Sequence, residues 1–148
     1  MTTQTTYANR MSAGYEGQIA DQRLKNVITA LCEDATLAAG LAVIQGTADS
    51  ECKVGAAGVF LGITVRDPTL APNRTVADQD KYKAGDNVNV LDFGPVWVKT
   101  LAICTAGAPV YRTAAGAITP TSTSNTLIAN ARFLDSGAAD AIVRISLK

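Results

Sequence analysis

Between residues 82 and 98 the chain alternates. Val88, Val90 and Asp92 are offset from Asn87, Asn89 and Leu91, then Gly94-Pro95 interrupts, and Val96 and Val98 alternate with Trp97 and Lys99. A period of two on both sides of a Gly-Pro break predicts two strands joined by a turn. The second strand of this hairpin runs on through 99–104. Further apolar or alternating runs predict strands at 27–32, 41–44, 59–66, 109–112, 118–119, 131–135 and 141–147. In the last of these, Ile142, Arg144 and Ser146 oppose Val143, Ile145 and Leu147. Asp67-Pro68 ends the 59–66 strand, because proline cannot donate to a ladder and restricts the residue before it. Segments 46–58, 68–83 and 120–125 are small or polar and read as loops. The pattern is eight or nine short strands with turn signals between them. It predicts an all-β fold, a jelly-roll-like sandwich or a closed barrel. Alanine-rich 29–42 and 129–141 invite helices, but Gly40 and Gly137 argue against long ones. One short helix is expected at most, in the N-terminal segment or in 68–83.

Residues 1–26 lack this patterning. They are polar and threonine-rich, with Gly14 and Gly17 close together. They predict an extended N-terminal arm preceding a single β domain at 27–148, and such arms are ordered when they dock on something. Tyr7, Met11, Tyr15 and Ile19 recur every four residues, so a short helix on a partner is the alternative. These four are candidate interface residues. Trp97, the sole tryptophan, is the fifth. Its neighbours Val96 and Val98 make the opposite face apolar too, so it is either a core anchor or an interface hot spot. A small motif, Ala-Gly-x-x-Val, recurs at 39–43, 84–88 and 106–110, each time entering a strand. Its glycine suits a turn with positive φ. The repeat hints at two related β units, or else reflects how common Ala-Gly is in an alanine-rich chain.

Composition narrows the function. At 148 residues the chain forms one domain. Only 18% of residues are charged, which weakly defends the surface against association and predicts cover by another subunit or protein. Thirteen basic residues balance thirteen acidic ones without clustering, so no nucleic-acid partner is expected. No apolar stretch is long enough to cross a bilayer, and MTTQTTYANR has no signal-peptide core, so the expected site of synthesis is the cytoplasm of the cell that makes it, with no membrane partner. Cys32 and Cys104 sit in apolar runs and predict buried thiols. Cys52 sits in a polar turn and predicts an exposed one. Three widely spaced cysteines suggest neither a disulfide framework nor a metal knuckle.

Histidine is absent, which removes the usual general base, metal ligand and Ser-His or Cys-His pairs. The serines have no supporting context for a Ser-Lys pair. Asp78-Gln79-Asp80 begins like a calcium loop, but counting from Asp78 the sixth and twelfth positions hold Lys83 and Asn89 rather than Gly and Glu. Glu33, Asp34, Asp49 and Glu51 read as solvated loop charges. Asn73-Arg74-Thr75 matches a glycosylation triplet, without a secretory route to use it. No phosphate-binding glycine loop is present. No catalysis, cofactor or metal is expected.

Several segments resemble the cement, or head decoration, proteins of tailed bacteriophages. They are 11–20 (MSAGYEGQIA), 60–67 (FLGITVRD), 82–98, 106–111 (AGAPVY) and 131–135 (ARFLD). The resemblance runs through most of the chain in consistent order. It implies a β-sandwich or jelly-roll-like body on the outer face of a capsid, a major capsid protein partner, and a homodimer or homotrimer. It implies neither catalysis nor cofactor. A capsid tie made of a compact body and an arm would bridge neighbouring capsid subunits and hold the head against internal pressure. Removing residues 1–20 is then expected to leave a folded protein with weak shell binding. The alternative is another virion β module, tail- or fibre-associated or receptor-binding.

Overall fold

The computed structural model describes residues 12–73 and 80–148, with the backbone alone at 71–73. Its strands are β1 (Asn26–Cys32), β2 (Thr36–Ala38), β3 (Ala42–Gln45), β4 (Glu51–Lys53), β5 (Phe60–Thr64), β6 (Lys81–Lys83), β7 (Asn87–Lys99), β8 (Pro109–Arg112), β9 (Ile118–Thr119), β10 (Thr126–Phe133) and β11 (Ile142–Leu147). A short 3-10 segment, Pro68–Asn73, falls in the expected excursion. The fold is all-β, as the alternation predicts, with eleven strands among the described residues rather than eight or nine. β2, β4 and β6 are three residues each, too short to show a period of two in sequence.

The expected hairpin at 82–98 does not form. β7 runs unbroken for 13 residues through Gly94-Pro95. What changes there is the set of partners. Below the break β7 pairs antiparallel with β1 (Ile28↔Val90, Ala30↔Val88) and β5 (Ile63↔Leu91). Above it β7 pairs with β11 (Val143↔Val98, Ile145↔Val96, Leu147↔Gly94). Gly94 takes φ +119°, a conformation open to glycine, and a register shift lies beside it at Asn26/Val27. The break re-aims one strand from one half of the molecule to the other, as corner strands do in β-sandwiches. The strand stops at Lys99, so the expected extension to 104 is absent and 100–104 lie outside it. Thr100 and Cys104 make only isolated bridges, to Ile118 and Gly137.

β7 therefore belongs to two curled sheets. In the first, the order β1-β4-β3-β5-β7 closes on itself through β1–β7 pairing, giving a five-stranded barrel. Its interior holds Ala30, Cys32, Val43, Cys52, Val88 and Val90. The β2–β6 pair adds Leu37 and Tyr82 to the same cluster, and the Tyr82 hydroxyl donates to the Val65 carbonyl at 2.5 Å. Burial there pushes the Tyr82 pKa up to about 12. The second sheet runs β7-β11-β10-β8-β9 and returns toward β7 through Thr100↔Ile118. Ala42, Ile63 and Leu91 are direct partners in turn and point away from the first core. They join Val96, Val98, Val110, Ile118, Ile128, Phe133, Val143 and Ile145 in the larger core. The side-chain period of two thus gives β3, β5 and β7 one apolar face for each core.

The repeated Ala-Gly turns have one geometry. Gly40, Gly85 and Gly107 take φ of +80°, +87° and +88°. Each glycine N–H donates to the carbonyl of a strand's last residue, whose own N–H donates to the residue after the glycine. The pairs are Gly40 to Thr64 (2.8 Å) with Thr64 to Leu41 (2.9 Å), Gly85 to Cys32 (2.9 Å) with Cys32 to Asp86 (2.9 Å), and Gly107 to Phe133 (2.8 Å) with Phe133 to Ala108 (3.1 Å). The motif is one device used three times: it ends β5, β1 and β10 while starting their antiparallel neighbours.

Two expectations about 46–58 are corrected. The segment contains β4, and Cys52 on it is fully buried, because β4 is needed to close the barrel between β1 and β3. Glu33 and Asp34 are also more than solvated charges. Glu33 accepts from Thr47 N (2.7 Å), Thr47 Oγ1 (2.9 Å) and Lys53 Nζ (3.0 Å), and Asp34 accepts from Val54 N (2.8 Å). The Thr47 backbone bond, with the Lys53 bond behind it, holds the Glu33 pKa below its usual value. The 55–58 loop is tied to the second sheet by buried Arg112, which donates to the Gly55 carbonyl, and by Thr126 Oγ1 on Ala56 (3.2 Å).

Candidate functional site

The part of the N-terminal segment that is described lies on β7. Gly17 N donates to the Trp97 carbonyl (2.8 Å), Trp97 N to the Gln18 carbonyl (2.8 Å) and Ala20 N to the Pro95 carbonyl (3.1 Å), with Ile19↔Val96 as an antiparallel bridge. Arg66 N donates to the Gly17 carbonyl (2.8 Å), so the strap also touches the end of the first barrel. Two glycines make this close approach possible. A Cβ on Gly14 would lie 2.5 Å from the Trp97 ring, and one on Gly17 would lie 2.6 Å from Ala39 Cβ and 2.8 Å from Gly40 N. Gly17 also takes φ +76°. The strap is a flat strip of backbone laid over an indole and an Ala-Gly turn.

Trp97 is 8% exposed and faces away from Val96 and Val98. Its cross-strand partner is Arg144. The guanidinium carbon stands 5.7 Å from the ring centroid, a cation–π stack. Asp135 grips Arg144 bidentately, Nε to Oδ2 at 2.8 Å and Nη2 to Oδ1 at 2.7 Å, and also accepts from Arg144 N at 3.1 Å. The Asp135 bond raises the Arg144 pKa further. These groups line an open groove of about 870 Å³ with Ala13, Ala106, Leu134 and Gly137. A second cleft, of about 430 Å³, lies between Leu24, Phe93, Pro95 and Leu147. Leu24 is 81% exposed at its edge.

The five candidate residues do not share one environment. Tyr7 and Met11 lie outside the described residues. Tyr15 is 71% exposed, its ring under Arg66 at 5.4 Å, and its backbone N–H donates to Gln18 Oε1 at 3.0 Å. Ile19 is partly buried against the larger core. Trp97 is covered by the strap and Arg144. Residues 12–20 contain no helix on the protein's own body, where 17–20 lie along β7. Sequence reasoning missed Arg144 and Asp135. The signal was available: the final strand's alternation sets Arg144 on the face opposite Val143 and Ile145, the face Trp97 shares. Of the Asp78–Asp80 pair, Asp78 is outside the described residues, and Asp80 pairs with Arg66 at 3.3 Å. Among the described residues no three His, Cys, Asp or Glu side chains gather into a metal site.

This geometry supports docking of backbone and apolar surface. Trp97→Ala is expected to cost about 3–5 kcal/mol of stability, the range for truncating a buried large aromatic, and to loosen the strap above it. Chemical denaturation checks the first effect, and limited proteolysis near residues 12–20 the second. Wild-type behaviour in both would make the ring a bystander.

A family model described as structural cement protein (E217 gp24/Pam3 gp6) matches residues 3–148. A chain from the solved capsid of Myoviridae Phage XM1 has a TM-score of 0.75 at 17% identity, over 100% of this chain and 98% of that one. At that identity the likeness establishes a shared fold. A weaker likeness, TM-score 0.49 at 12% identity over 84% of this chain and 95% of the other, is to the head fiber gp8.5 N base of bacteriophage phi29 and carries no argument. No curated protein matches the chain.

Proposed function

This chain belongs to the structural cement protein family of phages, and from that premise we propose that it binds the outer face of a tailed-phage capsid and bridges neighbouring major capsid protein subunits. The observation that carries the bridging is the strap. Residues 12–20 are fastened to the β body by main-chain bonds to Pro95, Trp97 and Arg66. The preceding residues, with Tyr7 and Met11, therefore start from a fixed point on the body's surface. We assign residues 1–26 as the arm and 27–148 as the body, with Tyr7, Met11, Tyr15, Ile19 and Trp97 forming or supporting the contact. A segment anchored at one end can lie along a neighbour's surface, at an ordering cost met when it binds, and many copies on a closed shell act together.

The low charge fraction favours close packing with other protein. The exposed apolar side chains Leu24, Leu101 and Ile103 supply further contact surface. A homodimer or homotrimer would present two or three arms at once. The family's structural role implies a protein without catalysis. In this reading nucleic acid and membrane are not partners, and the protein is made in the host cytoplasm before joining the virion.

The test is to mix the purified protein with undecorated heads and sediment them. Stoichiometric saturation of the shell and a higher head melting temperature are expected. Protein that stays in the supernatant at micromolar concentration, or that binds only tails or host cells, would overturn the assignment and favour a receptor-binding module.

A further inference from the structure

Cys32, the last residue of β1, and Cys52, in the middle of β4, are direct partners in the parallel β1–β4 pairing. Main-chain bonds fix the register on either side, Leu31 N to Ser50 O at 2.8 Å and Glu33 N to Cys52 O at 3.0 Å. Neighbouring strands lie about 4.8 Å apart. That falls inside the roughly 4.4–6.8 Å of Cα separation that a disulfide spans. Both side chains belong to the same small core, at 3% and 0% exposure. The third cysteine, Cys104, sits in the other core. The only two cysteines in the first barrel are therefore neighbours across one strand pair, and the Cys32 thiol donates to the Asp34 carbonyl at 3.2 Å.

We propose that Cys32 and Cys52 form a latent disulfide, held as thiols in a reducing cytoplasm and closed by a small-molecule disulfide such as oxidised glutathione once the particle meets an oxidising medium. One thiolate attacks a sulfur of the oxidant, giving a mixed disulfide and releasing one glutathione. The second thiolate attacks the cysteine sulfur of that intermediate and releases the other. The protein loses two protons and two electrons, and the oxidant is reduced to two thiols. The bridge ties the barrel's first strand to β4 and closes a loop containing β2 and β3, which restricts the unfolded chain. Burial, with Cys32 and Asp34 nearby, raises the Cys52 pKa to about 12. Both sulfurs are buried, so the oxidant reaches them only when the barrel opens locally; closure is therefore slow at neutral pH and speeds up as pH rises and the thiolate fraction in the opened state grows.

The timing rests on the virion reading, whereas the bond chemistry does not. The experiment incubates the purified full-length protein with oxidised glutathione at mildly alkaline pH, then denatures it and counts thiols. The count is expected to fall from three to one. The tryptic peptide 26–53, which contains both cysteines and no internal Lys or Arg, should lose two hydrogen masses. The melting temperature should rise, and reductant should reverse the change. Cys104→Ser should go from two thiols to none under the same treatment, and Cys52→Ser should keep both of its thiols. Three persistent thiols, a stable glutathione adduct on 26–53, or a bridge involving Cys104 would each overturn the proposal. Shell binding is a separate readout, so failure of the cement reading leaves the thiol count unaffected.

Discussion

Gly62→Ala is expected to lower the folding stability by about 3–5 kcal/mol, combining backbone strain with overpacking. Gly62 lies in β5 with φ +154°, where an L side chain is strained. A Cβ there would stand 2.2 Å from the Leu91 carbonyl oxygen, 2.7 Å from its carbon and 2.8 Å from Val90 Cγ1. Two of these contacts are with backbone, which a rotamer change cannot relieve. The cost falls where β5 meets β7, the pairing that helps close the barrel and carries Ile63↔Leu91 into the second core. A marginally stable domain has roughly 5–15 kcal/mol in total, so most of the soluble yield would go with it. Urea denaturation measures the change. Gly85→Ala is the control: Gly85 has φ +87° but open space around its Cβ position, so only the conformational cost of about 1–2 kcal/mol applies. Equal midpoints for the two variants would show that the Leu91 clash is relieved by movement.

Cutting the arm at two places should separate binding from folding. Removal of residues 1–11 is expected to leave the denaturation midpoint unchanged and to weaken shell binding by at least tenfold, about 1.4 kcal/mol. Removal of 1–20 has a different expected outcome from the one the picture of a compact body with an arm suggests. It also strips Gly14 from Trp97, takes Ile19 from the edge of the larger core, and deletes the bonds from Gly17, Gln18 and Ala20 to β7. Loss of a packed aliphatic side chain and several bonded main-chain groups costs about 3–4 kcal/mol. The uncovered Pro95–Trp97 backbone would also invite association between copies. Denaturation midpoints and sedimentation with heads read the two effects. Equal shell binding by the shorter truncation would refute the arm as the tie, and an unchanged midpoint for the longer one would refute the strap as part of the fold.

Local rules were legible in the chain. β8, from Pro109 to Arg112, and β9, at Ile118–Thr119, fall where the sequence places them. The β1 and β11 runs differ from expectation by a residue at one end. The Ala-Gly repeats foretold turns with positive φ, because without a Cβ a glycine reaches that region at no steric cost. The burial of Cys32 and Cys104 followed from their apolar neighbours. The family resemblance was legible too, since it rests on segments kept in order.

Tertiary structure decided the rest, because those outcomes depend on partners distant in sequence. Gly94-Pro95 can serve a turn or a through-going strand, and the choice went to the strand because β11 and the 17–20 strap pair with the residues around it. Cys52 looked exposed among polar neighbours, yet a five-stranded ring needs β4, and closing that ring buried it. Trp97 gained a role only when Arg144 and Gly14 arrived on its face. Period and turn chemistry are properties of neighbouring residues and can be read along the chain; which face ends up covered, and by what, is settled only when the two curled sheets close around their shared strand.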